Sequence, residues 1–194
     1  MERREIKFAG PLWSVESENH PTVFQSPVSS LPGIYLWTVP YNDSELVYYV
    51  GETGRSFAVR TKEHFQAHLS GMYEIYDANE FSQGRKVLLW KGMWKRGTES
   101  MMAEFLKRHN ELAPHIHGML HLYRLYLAPC DCEKRLRLRI EAAIAASLYK
   151  QPGIVGQFQE PGISYCPRRA DEEPVHVALD CDSDILGLPK YVIA

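Results

Sequence analysis

The sequence predicts an α/β (α+β) protein: a small mixed sheet that starts with a β-hairpin, flanked by helices, with an insertion between the first core helix and the third core strand. Three observations carry this. Two short runs rich in Ile, Leu, Trp, Val and Tyr, residues 33–39 and 46–51, are separated by turn chemistry in "PYNDSE". Leu136, Ile140, Ile144 and Leu148 recur at i, i+4 within residues 132–150, the spacing of one buried helix face. The order β-β-α, insertion, β-α, tail shows no internal repeat and places strands and helices in one mixed domain.

Each element follows in turn. Residues 1–32 read as an irregular N-terminal extension, with Pro21, Pro27, Pro32 and the Ser-rich "SPVSS". The core spans residues 33–150. Its hairpin, with Val39 paired to Glu45 across a five-residue loop, sets Tyr35 opposite Tyr49 on one face. A helix runs from Ser56, as N-cap, to about Leu69, with Gly71 as its stop. The insertion, residues 72–118, holds a strand in "KVLLWKGMW" and a helix in "TESMMAEFLKRHNELAP", capped at Thr98 and ended by Pro114. "MLHLYRLYLAP" then returns to strand character. Residues 151–194 form a tail on or beside the core, with one strand at "PVHVALD".

Composition limits the function classes. No apolar run approaches the ~18 residues of a membrane span, and "MERREIKFAG" lacks the apolar stretch of a secretory leader, so no membrane partner and a cytoplasmic location are expected. Cys130, Cys132, Cys166 and Cys181 lack paired C-x-x-C spacing and are too few for a disulfide scaffold, so free thiols are expected. The net charge of -2 hides a division: residues 81–150 carry thirteen Lys and Arg against six Asp and Glu, and the two ends are acidic. "RKVLLWKGMWKR", Lys107, Arg108 and "EKRLRLR" therefore offer a basic middle for a polyanion, or a solvated surface with no ligand.

The chemistry-bearing residues are Tyr35, Tyr49, Arg60, His64 and Glu141. Gly33-Ile34-Tyr35 opens the first strand, Tyr49-Val50-Gly51 closes the second, Arg60 and His64 lie four apart on the following helix, and Glu141 sits in the late helix. In these residues the chain resembles the GIY-YIG nuclease superfamily, over roughly residues 33–69 and 119–149, with Val in place of Ile in the second signature. The resemblance implies a metal-dependent DNA endonuclease: Tyr35 as general base, Tyr49 and His64 as supporting groups, Arg60 as phosphate clamp, and Glu141 as ligand to Mg²⁺ or Mn²⁺. Phosphodiester hydrolysis asks for such parts, because a water must lose a proton while charge developing on the phosphate is offset. Mg²⁺ keeps several waters, so a single carboxylate suffices as its anchor, and a guanidinium fork matches phosphate. A phenol with a reference pKa of ~10 acts as base only if neighbouring cations lower it.

Each residue also has a packing role open to it: the tyrosines as strand core, Arg60 as a solvated charge, Glu141 as the i, i+4 partner of Arg137. The resembled family often places an Asn shortly after the Glu. Here no Asn follows Asn110, and Gln157, Gln159 or Ser164 would have to serve. A nucleic-acid-binding module with impaired catalysis is thus the alternative, and a metal- or thiol-based binding protein a third. Cutting both strands with one small site calls for a homodimer. Two further clusters stand out: His115, His117 and His121 in "HIHGMLH", and Trp90 and Trp94 interleaved with Lys91 and Lys95, suited either to stacking on bases or to core packing.

Overall fold

In the computed structural model, which describes residues 2–15, 21–94, 97–160 and 165–194, the chain begins with a strand rather than an irregular extension. Ile6, Phe8 and Leu12 are buried along β1 (Glu2–Trp13), while Glu5 and Lys7, on either side of Ile6, face solvent. The hairpin follows as β2 (Gly33–Tyr41) and β3 (Ser44–Thr53), then α1 (Phe57–Leu69). The insertion contributes β4 (Ile75–Tyr76), α2 (Ala78–Ser82), β5 (Leu88–Trp90) and α3 (Glu99–Leu122). After β6 (Arg124–Pro129) come α4 (Lys134–Tyr149), α5 (Ile154–Phe158), β7 (Val175–Cys181), β8 (Ile185–Leu186) and β9 (Tyr191–Ile193).

The mixed α+β class holds. Seven strands pair in the order β8-β3-β2-β6-β1-β7-β9, and β4 and β5 form a separate two-stranded sheet. β1 runs antiparallel to β6 and parallel to β7, so both ends of the chain extend the sheet that carries the hairpin. Ile34, Leu36, Val50, Leu125 and Leu127 from the strands and Ile140, Ile144 and Leu148 from α4 belong to one buried cluster. None of the described helices is long and apolar enough to cross a membrane.

Three local expectations are corrected. The hairpin loop has two residues, Asn42 and Asp43, because Tyr41 pairs with Ser44; Asn42 takes φ 53, which Asn tolerates better than most residues. Val39 therefore faces Leu46 rather than Glu45, and a bulge between Trp37 and Thr38 leaves Tyr48 as the extra residue of β3. Tyr35 lies across from Gly51, and Trp37 from Tyr49. Tyr35 and Trp37 are two apart on one strand and share a face, so Tyr35 and Tyr49 still meet diagonally, with ring centroids 6.1 Å apart. Finally, α3 does not end at Pro114 but passes through it to Leu122, so residues 119–122 are helical. Pro114 removes one N–H from the ladder, and the buried stripe of Phe105, Leu112, Ile116 and Met119 carries the helix past the gap.

The caps match the sequence. Ser56 Oγ accepts from Val59 N at 3.3 Å and Thr98 Oγ1 from Met101 N at 3.2 Å. Gly71, at φ 69, follows the last turn of α1. The four cysteines are free thiols, with Cys130 and Cys132 Sγ 3.0 Å apart.

Candidate active site

β2, β3, α1 and α4 bring the five sequence-selected residues together. Tyr35 is buried in β2, and the reason a glycine lies across from it is steric: a Cβ on Gly51 would sit 2.3 Å from the tyrosine ring and 2.4 Å from its hydroxyl. The glycine of the second signature is thus the floor beneath the tyrosine of the first. On α1, Arg60 and His64 point the same way one turn apart, and both reach the Tyr35 hydroxyl: Arg60 Nε donates to it at 3.3 Å and His64 Nε2 lies 2.9 Å from it. Tyr49 packs its ring against those of Tyr35 and His64. Glu141, buried on α4, accepts the backbone N–H of Glu52 at 3.0 Å, and its charge acts on both phenols and on Arg60.

Burial governs the protonation of this cluster. Desolvation first, then the neighbouring Tyr49, hold the Tyr35 phenol well above 10, and the Arg60 cation only partly offsets them. Tyr49 is pushed up to about 12, chiefly by burial and by Glu141. His64 is driven well below its usual 6.5 by burial and by the Arg60 and His68 charges, so it is neutral at pH 7. Glu141 is pushed up to about 7 by burial and by the Glu52 carboxylate. The condition set by the sequence, a tyrosine whose pKa falls, is not met by the protein groups alone.

Several partners were not legible from the sequence. Tyr73, in the insertion, places its hydroxyl 2.9 Å from His64 Nδ1, so both imidazole nitrogens face phenols. A neutral imidazole meets this arrangement with one donor and one acceptor nitrogen. Glu63 accepts from Arg55 Nη1 and Nη2 at 2.5 and 2.7 Å and from Arg60 Nη1 at 3.3 Å, gathering two guanidinium groups beside the site. His68 is buried among Trp37, Tyr73 and Tyr123 and is pushed down to about 4 by desolvation.

The remaining sequence-selected residues separate. Arg137 pairs with Glu52 at 3.2 Å, not with Glu141. Arg139 is buried and donates to the carbonyls of Glu173 and Ala194, and Arg135 is held by Glu172 at 2.6 Å. Arg135 and Arg139 therefore tie the tail to α4 while Arg137 is held by β3, so the three arginines are taken up by partners within the protein. Gln159 is buried with its amide unpaired among the described residues, Gln157 is exposed on the same turn, and Ser164 lies outside the described residues. His117 and His121 meet one turn apart on α3 with tilted rings, Nε2 to Nε2 3.0 Å, while His115 turns to Asp77 and the backbone of Ala78, so the three do not converge. Among the described residues no group of three or more His, Cys, Asp or Glu is placed to hold a metal. Glu141 is the carboxylate that suits a hard cation: it is buried, and its only direct hydrogen bond among the described residues is a backbone amide.

Comparison with protein-family models, with curated proteins and with solved structures finds no match to this chain.

Proposed function

We propose that the protein is a metal-dependent DNA endonuclease with a GIY-YIG-like active site. The observation that carries this reading is the convergence of Arg60 Nε and His64 Nε2 on one buried tyrosine hydroxyl, with Tyr49 and the buried Glu141 beside it. A packing tyrosine needs one hydrogen-bond partner, and this one faces a cation and a neutral base together.

Glu141 would hold a divalent ion of the Mg²⁺ or Mn²⁺ type, which would supply positive charge against the negative charge of the phosphate and lower the proton affinity of groups around it. The burial of Glu141, only partly offset by the Glu52 amide and Arg60 and leaving its carboxyl pushed up to about 7, fits such a partner. The chain's own residues do the rest. The Tyr35 phenol holds its proton too tightly to act as a free phenolate. It accepts a proton from the attacking water as it passes its own to His64 Nε2, 2.9 Å away. As the water oxygen bonds to phosphorus the P–O bond to the leaving group breaks, the leaving oxygen takes a proton from solvent, and the extra proton on His64 returns to solvent when the product departs. Arg60, already on the Tyr35 oxygen, offsets the charge that develops there and presents its remaining N–H groups to the phosphate. Tyr49 walls the site and excludes water from that hydrogen bond.

The test is supercoiled plasmid incubated with the protein and Mg²⁺, and in parallel with EDTA. Nicking that requires Mg²⁺, and that falls by at least ~10²-fold in Tyr35→Phe at equal thermal stability, is the expected result. A folded Tyr35→Phe variant that cuts at the wild-type rate would overturn the assignment of Tyr35. A second reading, a nucleic-acid-binding module that has lost catalysis, is favoured by one observation: no amide side chain takes up the place of the family's Asn beside Glu141 among the described hydrogen bonds. DNA retention without Mg²⁺-dependent nicking selects it.

A further inference from the structure

The two tryptophans of residues 88–94 take opposite roles. Trp90 is buried, and its indole Nε1 donates to the carbonyl of Gly71 at 2.8 Å. Trp94 leaves 53% of its surface exposed. Its ring lies 5.7 Å from that of Tyr73, which lies 5.6 Å from His64, which lies 5.7 Å from Tyr35. A continuous row of aromatic rings therefore leads from the buried hydroxyl to an indole in water.

The backbone beneath that indole is held in place. Met93 N and Trp94 N both donate to the Met72 carbonyl at 3.0 Å, and the Met93 side chain is buried beneath the turn. Gly92 sits at φ 76, and a Cβ there would lie 2.7 Å from Met72 O and 2.9 Å from the Tyr73 carbonyl carbon. Only glycine lets the turn press so closely on residues 72–74. The backbone thus fixes one side of Trp94 against the segment that carries Tyr73 and leaves the rest of the ring to solvent. An aromatic ring that is anchored, half exposed and joined to a reactive cluster by ring contacts is suited to receive a flat, apolar ligand surface.

We propose that Trp94 is a stacking platform for a nucleobase within a few nucleotides of the phosphodiester presented to Tyr35, and that the site prefers DNA carrying an unpaired base there: a single strand, a flap or a junction arm. This rests on the nuclease reading and names its substrate class. In continuous duplex both faces of each base are already stacked on neighbours, so none is free for the indole. An unpaired base offers a face without the cost of opening the helix. The neighbouring Lys91 is exposed and suits the backbone of such a strand.

The experiment uses fluorescein-labelled oligonucleotides and anisotropy in EDTA, so that binding is read without cleavage, on the full chain and its Trp94→Ala and Trp94→Tyr variants. Trp94→Ala is expected to weaken binding of single strand and of flapped duplex by roughly 5- to 150-fold and to leave continuous duplex unchanged. Trp94→Tyr should keep most of the affinity. An abasic site scanned along the strand should reproduce the loss at one position in the wild-type chain and add nothing there in Trp94→Ala. Equal loss on all three DNA forms, or no loss on any, overturns the proposal. If the wild type nicks plasmid with Mg²⁺ and Trp94→Ala binds every form as tightly, the nuclease reading stands and the platform falls. If the wild type binds no oligonucleotide, both fall.

Discussion

On the proposed nuclease reading, a phenol held well above its usual pKa, as Tyr35 is, reacts only in company, and its company is His64. What decides whether His64 can accept a proton at Nε2 is the group on its other nitrogen. With Tyr73 accepting from Nδ1–H, the Nε2 lone pair faces Tyr35; the other tautomer aims a proton at Tyr35 and blocks the relay. Tyr73 is on this account a positioning residue. Tyr73→Phe should lower kcat by about tenfold or more with little change in KM, and the 15N shifts of the His64 ring should show a changed tautomer balance in a folded protein. An unaltered tautomer signature would return Tyr73 to a packing role. Spacing alone places Tyr35 with Tyr49 and Arg60 with His64 on shared faces, whereas Glu141 is reached only through the family resemblance, since no local pattern ties α4 to the hairpin. Tyr73 is not legible: it follows the stop at Gly71 in an irregular stretch, where no periodicity says which way a side chain points. His68 is illegible for another reason, since one turn beyond His64 on an apolar face it is indistinguishable from core.

At the level of elements, caps and helix periodicity match the structure, whereas the passage of α3 through Pro114, the hairpin register and the distant pairing of β1 do not follow from local signals. Ser56, Thr98 and the α4 stripe act over three or four residues, and all three held. β1 shows only Ile6 and Phe8 in clear alternation among charges, and what makes it a strand is its pairing with β7, about 170 residues away in Glu2 opposite Val175. The continuation of α3 past Pro114 likewise depends on tertiary burial rather than propensity. The hairpin register turned on the bulge at Tyr48, which shifts every pair beyond it by one. The two-residue loop and that shift together preserve the face shared by Tyr35 and Tyr49, so the site survived an error in the register. Gly51 is the element-level residue that this register makes necessary. Gly51→Ala drives a methyl group into the Tyr35 ring, and since the ring is walled by Phe57 and His64 it has no free direction in which to move. A loss of ~1–3 kcal/mol in urea unfolding is expected, together with displaced Tyr35 resonances. Stability within ~0.5 kcal/mol of wild type would show that the ring is not held as described.

For the whole molecule, the buried titratable groups set a stability profile in pH. His64 and His68 have folded pKa values below their unfolded 6.5, His68 at about 4, so the unfolded chain binds protons that the folded chain refuses. Their contribution is present above about pH 6.5 and is lost as pH falls. Glu141 runs the other way. Its folded value of about 7 lies above the unfolded 4.5, so the folded chain keeps a proton that the unfolded chain releases, and stability falls as pH rises through about 7. Among these three groups the two histidines outweigh Glu141 just below pH 6.5, and above it Glu141 alone lowers stability until its folded value of about 7 is passed. Glu141→Gln keeps an oxygen for the Glu52 amide and removes the ionisation. In EDTA the variant should exceed the wild type by on the order of 2–3 kcal/mol at pH 8, with the gap closing by about pH 5. If Glu141 anchors a cation, Mg²⁺ should raise the wild-type melting temperature at pH 8 and leave that of Glu141→Gln in place, a readout independent of any DNA. A variant with the wild-type pH profile would mean that Glu141 is not the buried acid that burial and the Glu52 carboxylate make it. A rise with Mg²⁺ equal in both chains would place the ion elsewhere.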